Sequence, residues 1–356
     1  MSASPRVLFV PVSGPGGAGE YFRSLAVARA VERRWPDAAI SFVMSREAPQ
    51  AAASPYPVHL VPRSPTYETA AVQRILAEVR PDVAIFDSSG RAAQYRRARE
   101  LGAHTVFVSS RPSTRRKGFG LRRLLTLDQH WIVAPRFLGG GLGVVERLKL
   151  AMAPRCEAVF LDVLHEPVDE PAARALQSQL GVSPGRYVLA CPGGGGHAVA
   201  GREPWQVYLD ASRQIATRSG LPVVAVLGPR ATAAADEAPG IRLLDSVPNG
   251  VLMGLVRDAR IGVVNGGSLL VQAIALGLPC VAAPISDDQP ARIANSARLG
   301  LVRPARLDAA ALAAEAATLA VAGERDALAA RLAGLGVQNG LDVAVAAIGR
   351  LLPTPR

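Results

Sequence analysis

The chain is short of aromatic residues, cysteines and long apolar runs, and each shortage closes off a class of protein. Aromatics are 5% of the 356 residues and no nucleic-acid-binding motif is present, which argues against nucleic acid as a partner. The three cysteines (Cys156, Cys191, Cys280) stand in or beside apolar runs without metal-ligand spacing. They read as buried free thiols. No apolar segment reaches the roughly 20 residues that a membrane span needs. The opening MSASPRVLFVPVSG lacks a secretory pattern, because its apolar run is short and leads directly into a glycine loop; a cytoplasmic protein is expected. Adjacent Asp287 and Asp288 beside Gln289 supply too few ligands for a metal, so none is expected there.

What is present is an apolar, moderately charged chain. Hydrophobic residues make up 49% and charged ones 19%, the balance of a globular protein. The length suits two α/β domains. A boundary is expected at residues 165/166, where His165-Glu166-Pro167-Val168-Asp169-Glu170-Pro171 loses periodicity and holds two prolines. The net charge of +11 lies almost wholly before that boundary. Up to His165, 23 Lys and Arg face 13 Asp and Glu; beyond it the counts are 17 and 16. The first half should therefore meet something anionic, a membrane surface or an acceptor molecule. The segment Arg111–Arg123, RPSTRRKGFGLRR, carries six cations and no acid beside Phe119, Leu121, Leu124 and Leu125. It reads either as a solvated basic loop or as a patch for anionic lipid.

Apolar runs and turn signals alternate along both halves. Strands are expected at 6–12, 40–44, 58–61, 83–86, 105–108 and 130–133, with helices at 69–79 and 91–101. The loop Ser13–Tyr21 joins the first strand to a helix and holds Gly14, Gly16, Gly17 and Gly19. A second glycine loop, PGGGGH with Gly194, Gly195, Gly196 and His197, follows a strand at 187–191. Gly139–Gly143 reads as a flexible loop, and the tail as Ala/Leu-rich helices at 308–320, 324–332 and 340–352.

The richest stretch runs from Arg260 to Gly300. A β-branched run, Ile261–Val264, meets the turn Asn265-Gly266-Gly267-Ser268, whose glycines permit close approach of backbone to a ligand. Leu269, Leu270, Ala273, Ile274 and Leu276 then recur at helical spacing until Gly277-Leu278-Pro279. A second buried run, Cys280–Ala283, leads to a polar turn ending in Asp287-Asp288-Gln289, with another helix from near Pro290. Turns at the carboxyl ends of parallel strands are where α/β sheets hold ligands.

Aligned on Gly277-Leu278-Pro279, this stretch resembles the donor-sugar signature of GT-B glycosyltransferases. That group holds the UDP-glucuronosyltransferase-like enzymes and the lipid-linked N-acetylglucosamine transferase of peptidoglycan synthesis. The signature's glycine falls on Gly266, its helix carboxylate on Gln272 and its acid-amide pair on Asp288-Gln289. Three positions depart from it: Gln272 replaces the usual Glu, Val264 or Asn265 stands where a His is frequent, and Arg292 replaces a common Asn. The resemblance implies two Rossmann-like doubly wound domains facing across a cleft. Residues 1–165 would bind the acceptor and 166–356 the donor, with the last helix packed back on the first domain. It also implies a metal-independent, cofactor-free transfer from a nucleoside diphosphate sugar, UDP-linked by preference.

The donor would contact Gly194, Gly195, Gly196, His197, Val247, Asn265, Gly266, Gly267, Ser268, Gln272, Asp288 and Gln289. A helix N-terminus suits the diphosphate, and an acid-amide pair can bond sugar hydroxyls. Gly16, Gly17, Gly19 and Tyr21 would form the acceptor loop, with Tyr21 where relatives often carry a His. Inverting transfer needs a base for the acceptor hydroxyl. Glu20 on that loop is the candidate; Asp87, at the end of a central strand, is the alternative or the group that orients it. The acceptor would be anionic or lipid-linked. A nucleotide-sugar hydrolase or 2-epimerase of the same fold, or a binder of nucleotide sugar without catalysis, are the competing readings.

Overall fold

A computed structural model of the chain describes residues 4–14, 18–139, 141–193, 202–228 and 238–352. It divides into two compact units, residues 1–164 with 339–356, and residues 165–338.

The first unit is a seven-stranded parallel sheet in the order β3-β2-β1-β4-β5-β6-β7. Its strands are β1 (Arg6–Pro11), β2 (Ala39–Ser45), β3 (Val58–Val61), β4 (Val83–Asp87), β5 (His104–Ser109), β6 (Gln129–Val133) and β7 (Glu157–Leu161). Between them run α1 (Gly19–Arg34), α2 (Thr69–Val79), α3 (Ala92–Glu100), α4 (Pro112–Gly118), α5 (Leu121–Leu124), α6 (Arg136–Gly139) and α7 (Val144–Ala151). The period of two along a strand sends alternate side chains to opposite faces. Val7 and Phe9 of β1 join a cluster with α1, whereas Leu8 and Val10 join another with Leu76, Tyr95 and Phe119. Both faces are covered, which is why these strands read as unbroken apolar runs.

The second unit holds α8 (Glu170–Gln179), β8 (Val188–Cys191), α9 (Pro204–Ser219), β9 (Val223–Val226), β10 (Ile241–Leu244), α10 (Asn249–Asp258), β11 (Ile261–Asn265), α11 (Ser268–Ala275), β12 (Cys280–Ala283), α12 (Gln289–Arg298), β13 (Arg303–Pro304), α13 (Ala309–Ala320) and α14 (Ala322–Ala333). Its six strands are parallel in the order β10-β9-β8-β11-β12-β13. The chain then returns to the first unit as α15 (Leu341–Leu351), whose Ala344, Ala347 and Ile348 are buried in the cluster containing α1. Gln129 in β6 donates its side-chain amide to the Ala347 carbonyl, fastening that helix. In each sheet the strand order reverses once, between β1 and β4 and between β8 and β11. Those reversals are the crevices where doubly wound sheets bind ligands.

Candidate active site

At the second unit's reversal, β8 ends in Pro192-Gly193 and β11 ends in Asn265. Gly193 has φ +85, and a side chain there would run into the Asn265 amide. Asn265 is 6% exposed; its Nδ2 donates to the Pro192 carbonyl and its Oδ1 accepts from the Gly267 N–H. The sequence assigns Asn265 to the donor, but both ends of its amide are committed to the protein. It is a brace between two strand ends.

Gly266 is enclosed so tightly that an added Cβ would lie 2.7 Å from Ile293 and 2.9 Å from the Gln289 Cβ. Its N–H and that of Ile285 both donate to Gln289 Oε1, at 3.1 and 2.9 Å. Gln289 is 6% exposed, so its carbonyl oxygen ties the turn after β11 to the turn after β12. Of the expected acid-amide pair, Gln289 spends its Oε1 on two backbone donors, so a bond from it to a sugar hydroxyl falls to its Nε2. Arg292, the departure from the signature, donates to the Gly266 carbonyl and stands 3.8 Å from Asp288. Asp288 itself is exposed and accepts from Ser286 Oγ at 2.8 Å.

Among the described residues, no cap side chain closes the start of the helix that follows the turn. Gly267 caps α11 with no side-chain bond to its first N–H groups, and Ser268 is exposed. Gln272 is half-buried one turn further on, and Val247 is half-buried just before α10. Of the other donor candidates, Gly194, Gly195, Gly196 and His197 lie outside the described residues.

In the first unit the reversal between β1 and β4 brings Ser13 and Asp87 together with the start of α1. Asp87 is 1% exposed, and its two oxygens accept from Arg23 Nε at 2.8 Å and Nη2 at 2.5 Å. Ser24 and Ser88 hydroxyls lie 3.4 and 3.3 Å away. Burial pushes the Asp87 carboxyl up, and the Arg23 guanidinium opposes that rise. Burial would lower Arg23 in turn, but Asp87 holds it above the ordinary arginine range. A carboxylate gripped on both oxygens and shut from solvent is not a base for a diffusing acceptor, so Asp87 is reassigned to a buried ion pair. Glu20, second residue of α1, is partly exposed and accepts from Arg111 Nη2 at 2.7 Å. Tyr21 is 4% exposed with its ring edge-on to Phe42 in the core, which removes it from the acceptor loop. Gly19 is exposed at the head of α1; Gly16 and Gly17 lie outside the described residues.

The segment Arg111–Arg123 is not a loop. It forms α4 and α5, with Phe119 and Leu124 buried. Arg115 clamps Glu146 through both carboxylate oxygens, at 2.8 and 2.7 Å, and caps the Gly139 and Gly141 carbonyls. Arg123 stacks on Phe107 and donates to the Gly90 carbonyl. With Arg111 bound to Glu20, three of the six cations are structural, and Arg116, Lys117 and Arg122 stay exposed. Sequence counting registers charge but not partners, and so missed these roles.

Among the described residues, no group of three or more His, Cys, Asp or Glu could hold a metal ion. No helix among them is long and apolar enough to cross a membrane.

No protein-family model matches the chain. No curated protein matches it either. Solved structures do. The spinosyn rhamnosyltransferase SpnG superposes with TM-score 0.65 at 17% identity, over 98% of this chain and 99% of the other. The glycotransferase of kitacinnamycin gives 0.64 at 17%, over 99% and 100%. A UDP-glucose:anthocyanidin 3-O-glucosyltransferase in complex with UDP gives 0.63 at 10%, over 99% of each.

Proposed function

From a chain with the GT-B fold, we propose a glycosyltransferase that moves a sugar from a nucleoside diphosphate sugar, UDP-linked by preference, to an acceptor with inversion and without metal. The observation that carries this reading is the N-terminus of α11, which no cap side chain closes among the described residues. It lies beside the strand reversal, behind a turn too tight for any side chain at Gly266. Unsatisfied N–H groups and the positive end of a helix suit a diphosphate, and glycine lets the backbone reach it. One of the three structural neighbours was solved in complex with UDP, and the names of all three describe a transfer of sugar. Exposed Asp288 is assigned to a sugar hydroxyl, half-buried Gln272 to the ribose, and Gln289 to holding the two turns in register.

In the reaction the acceptor oxygen attacks the anomeric carbon, a new C–O bond forms, and the bond to the diphosphate breaks with its electron pair leaving on UDP. Glu20 takes the acceptor proton, and Arg111 sets the direction of its carboxylate. The acceptor is anionic or lipid-linked, in keeping with the charge of the first half. The buried free thiols Cys156, Cys191 and Cys280 suit a reducing cytoplasm. The test is incubation with a panel of nucleotide sugars and anionic or lipid-linked acceptors, scoring UDP release and product mass. Turnover with a UDP-sugar that Glu20→Gln abolishes is expected; turnover unchanged in that variant would remove Glu20 from the chemistry. A second reading, a nucleotide-sugar binder without transfer, draws on the pairing of both candidate bases with arginine. Donor binding with no turnover on any acceptor would favour it.

A further inference from the structure

Helix α7 is built the wrong way round for a helix on the surface of a soluble domain. At 100° per residue, Val144, Leu148, Met152 and Val145 fall on one stripe, which should face the core. They are instead 73%, 64%, 55% and 63% exposed, and α7 has no buried residue. The polar side faces inward. Glu146 is drawn into the Arg115 fork and accepts from the Gly143 N–H as well, while Leu150 rests on the core below. The orientation is held by the guanidinium, which also lies over the Phe119 and Phe160 rings. Leu125, just past the end of α5, is also 53% exposed, and α5 packs against α7.

Helical spacing puts exposed Arg147 on one side of the stripe and half-buried Lys149 on the other. Exposed Arg116, Lys117 and Arg122 lie on α4 and α5 nearby. Residues 111–155 contain ten Lys and Arg against two acids, Asp128 and Glu146, and both acids are paired with arginine. An apolar stripe of this kind in solution normally belongs to an interface. A second copy of the chain would bring Arg147 and Lys149 against their like, so the charge opposes self-association.

We propose that α7 is a membrane-docking helix that lies in the headgroup region of an anionic phospholipid bilayer. Val144, Val145, Leu148 and Met152 enter the acyl boundary, and Arg147, Lys149 and Arg122 meet the phosphates. Amphipathic helices with cations flanking the apolar face bind such surfaces in this way. The docking does not depend on the transferase reading, because none of these residues belongs to the donor or acceptor sites.

Flotation of the full chain with vesicles tests it. At low salt the protein is expected to float with phosphatidylglycerol-containing vesicles and much less with phosphatidylcholine alone. Added salt should weaken the binding through screening. Leu148→Glu should lower partitioning at least tenfold. Arg147→Gln with Lys149→Gln should lower it by about fivefold for each cation removed, since a cation near an anionic surface contributes on the order of that factor. Arg147→Lys should retain binding. None of these side chains is buried, so thermal midpoints and UDP binding should stay at wild-type values, which separates loss of docking from loss of fold or of the donor site. Failure to float with anionic vesicles at low salt overturns the proposal, as does flotation that Leu148→Glu leaves intact. A concentration-dependent dimer that Leu148→Glu dissolves would also overturn it, in favour of a second copy on this face.

Discussion

Replacing Gln289 separates a structural residue from a donor contact more cleanly than any other change in the second unit. Its Oε1 accepts two buried N–H groups, Gly266 at 3.1 Å and Ile285 at 2.9 Å. Removing the acceptor strands both donors at the ends of β11 and β12. A buried donor left unpaired costs about 1–3 kcal/mol, so Gln289→Met, which keeps the length of the side chain, should cost roughly 2–5 kcal/mol. For a unit of this size each kcal/mol moves the midpoint by roughly 2–4 °C, giving a fall on the order of 4–20 °C in its unfolding transition. Because the two turns hold the donor as a whole, UDP and UDP-sugar should weaken together. Asp288→Ala is the contrast. Its side chain is exposed, so stability should stay within about 0.5 kcal/mol, while UDP-sugar weakens and free UDP does not. Calorimetric unfolding with titrations of both ligands reads the two effects. A Gln289→Met midpoint equal to wild type would refute the reasoning, as would Asp288→Ala weakening UDP and UDP-sugar alike.

Three further predictions rest on the first unit. Asp87→Asn leaves Arg23 charged and buried without its counter-ion, and denaturant unfolding should show a loss of about 3–5 kcal/mol; Arg23→Met with Asp87→Leu should lose far less. His130, buried beside Phe119 and Gly118, is pushed down to about 3 by its burial, with Arg115 adding to the effect. The unfolded chain therefore binds the extra proton between about pH 6.5 and 3, and stability should fall as pH drops through that window; His130→Gln should flatten the slope in a pH series of denaturant midpoints. Asp128 is held down at about 2, with its burial outweighed by bonds from His104, the Thr105 N–H and Arg155. Its contribution is present above the ordinary carboxylate range and should disappear only as pH falls toward 2, so Asp128→Asn should lower stability at neutral pH and make no difference at the acid end.

The central strands were legible in the sequence because they are buried along their length, and β1, β8 and β11 run into glycine turns; β7, partly exposed and flanked by no such turn, was not. Ile261–Val264 and Cys280–Ala283 could hardly be anything but buried parallel strands, and the returning helix at 341–351 followed from the resemblance. What the sequence concealed was the direction of polar side chains. Gln289 next to exposed Asp288 looks like half of a sugar-binding pair until burial shows its oxygen on two backbone donors. Tyr21 sits where an acceptor-loop residue is expected, but the ring turns into the core against Phe42. The run from Arg111 to Arg123 shows six like charges; only the fold reveals that Arg111, Arg115 and Arg123 each have a partner. Helix α7 is hidden in the sequence for a related reason. Its apolar spacing is that of a core helix, and it is Arg115, 31 residues before Glu146, that turns the stripe outward.

The central claim, that the start of α11 receives the donor diphosphate, is tested most directly by placing a negative charge there. Ser268 is exposed at the first position of that helix, where a carboxylate favours the helix dipole and should keep or raise stability. The same carboxylate would repel a diphosphate and compete for its N–H groups. Calorimetric titration with UDP in the presence of a chelator should show binding to the wild-type protein and at least a tenfold loss in Ser268→Glu, with an unchanged or higher thermal midpoint. Equal UDP affinity in the two proteins, or no binding to the wild type, would contradict the account.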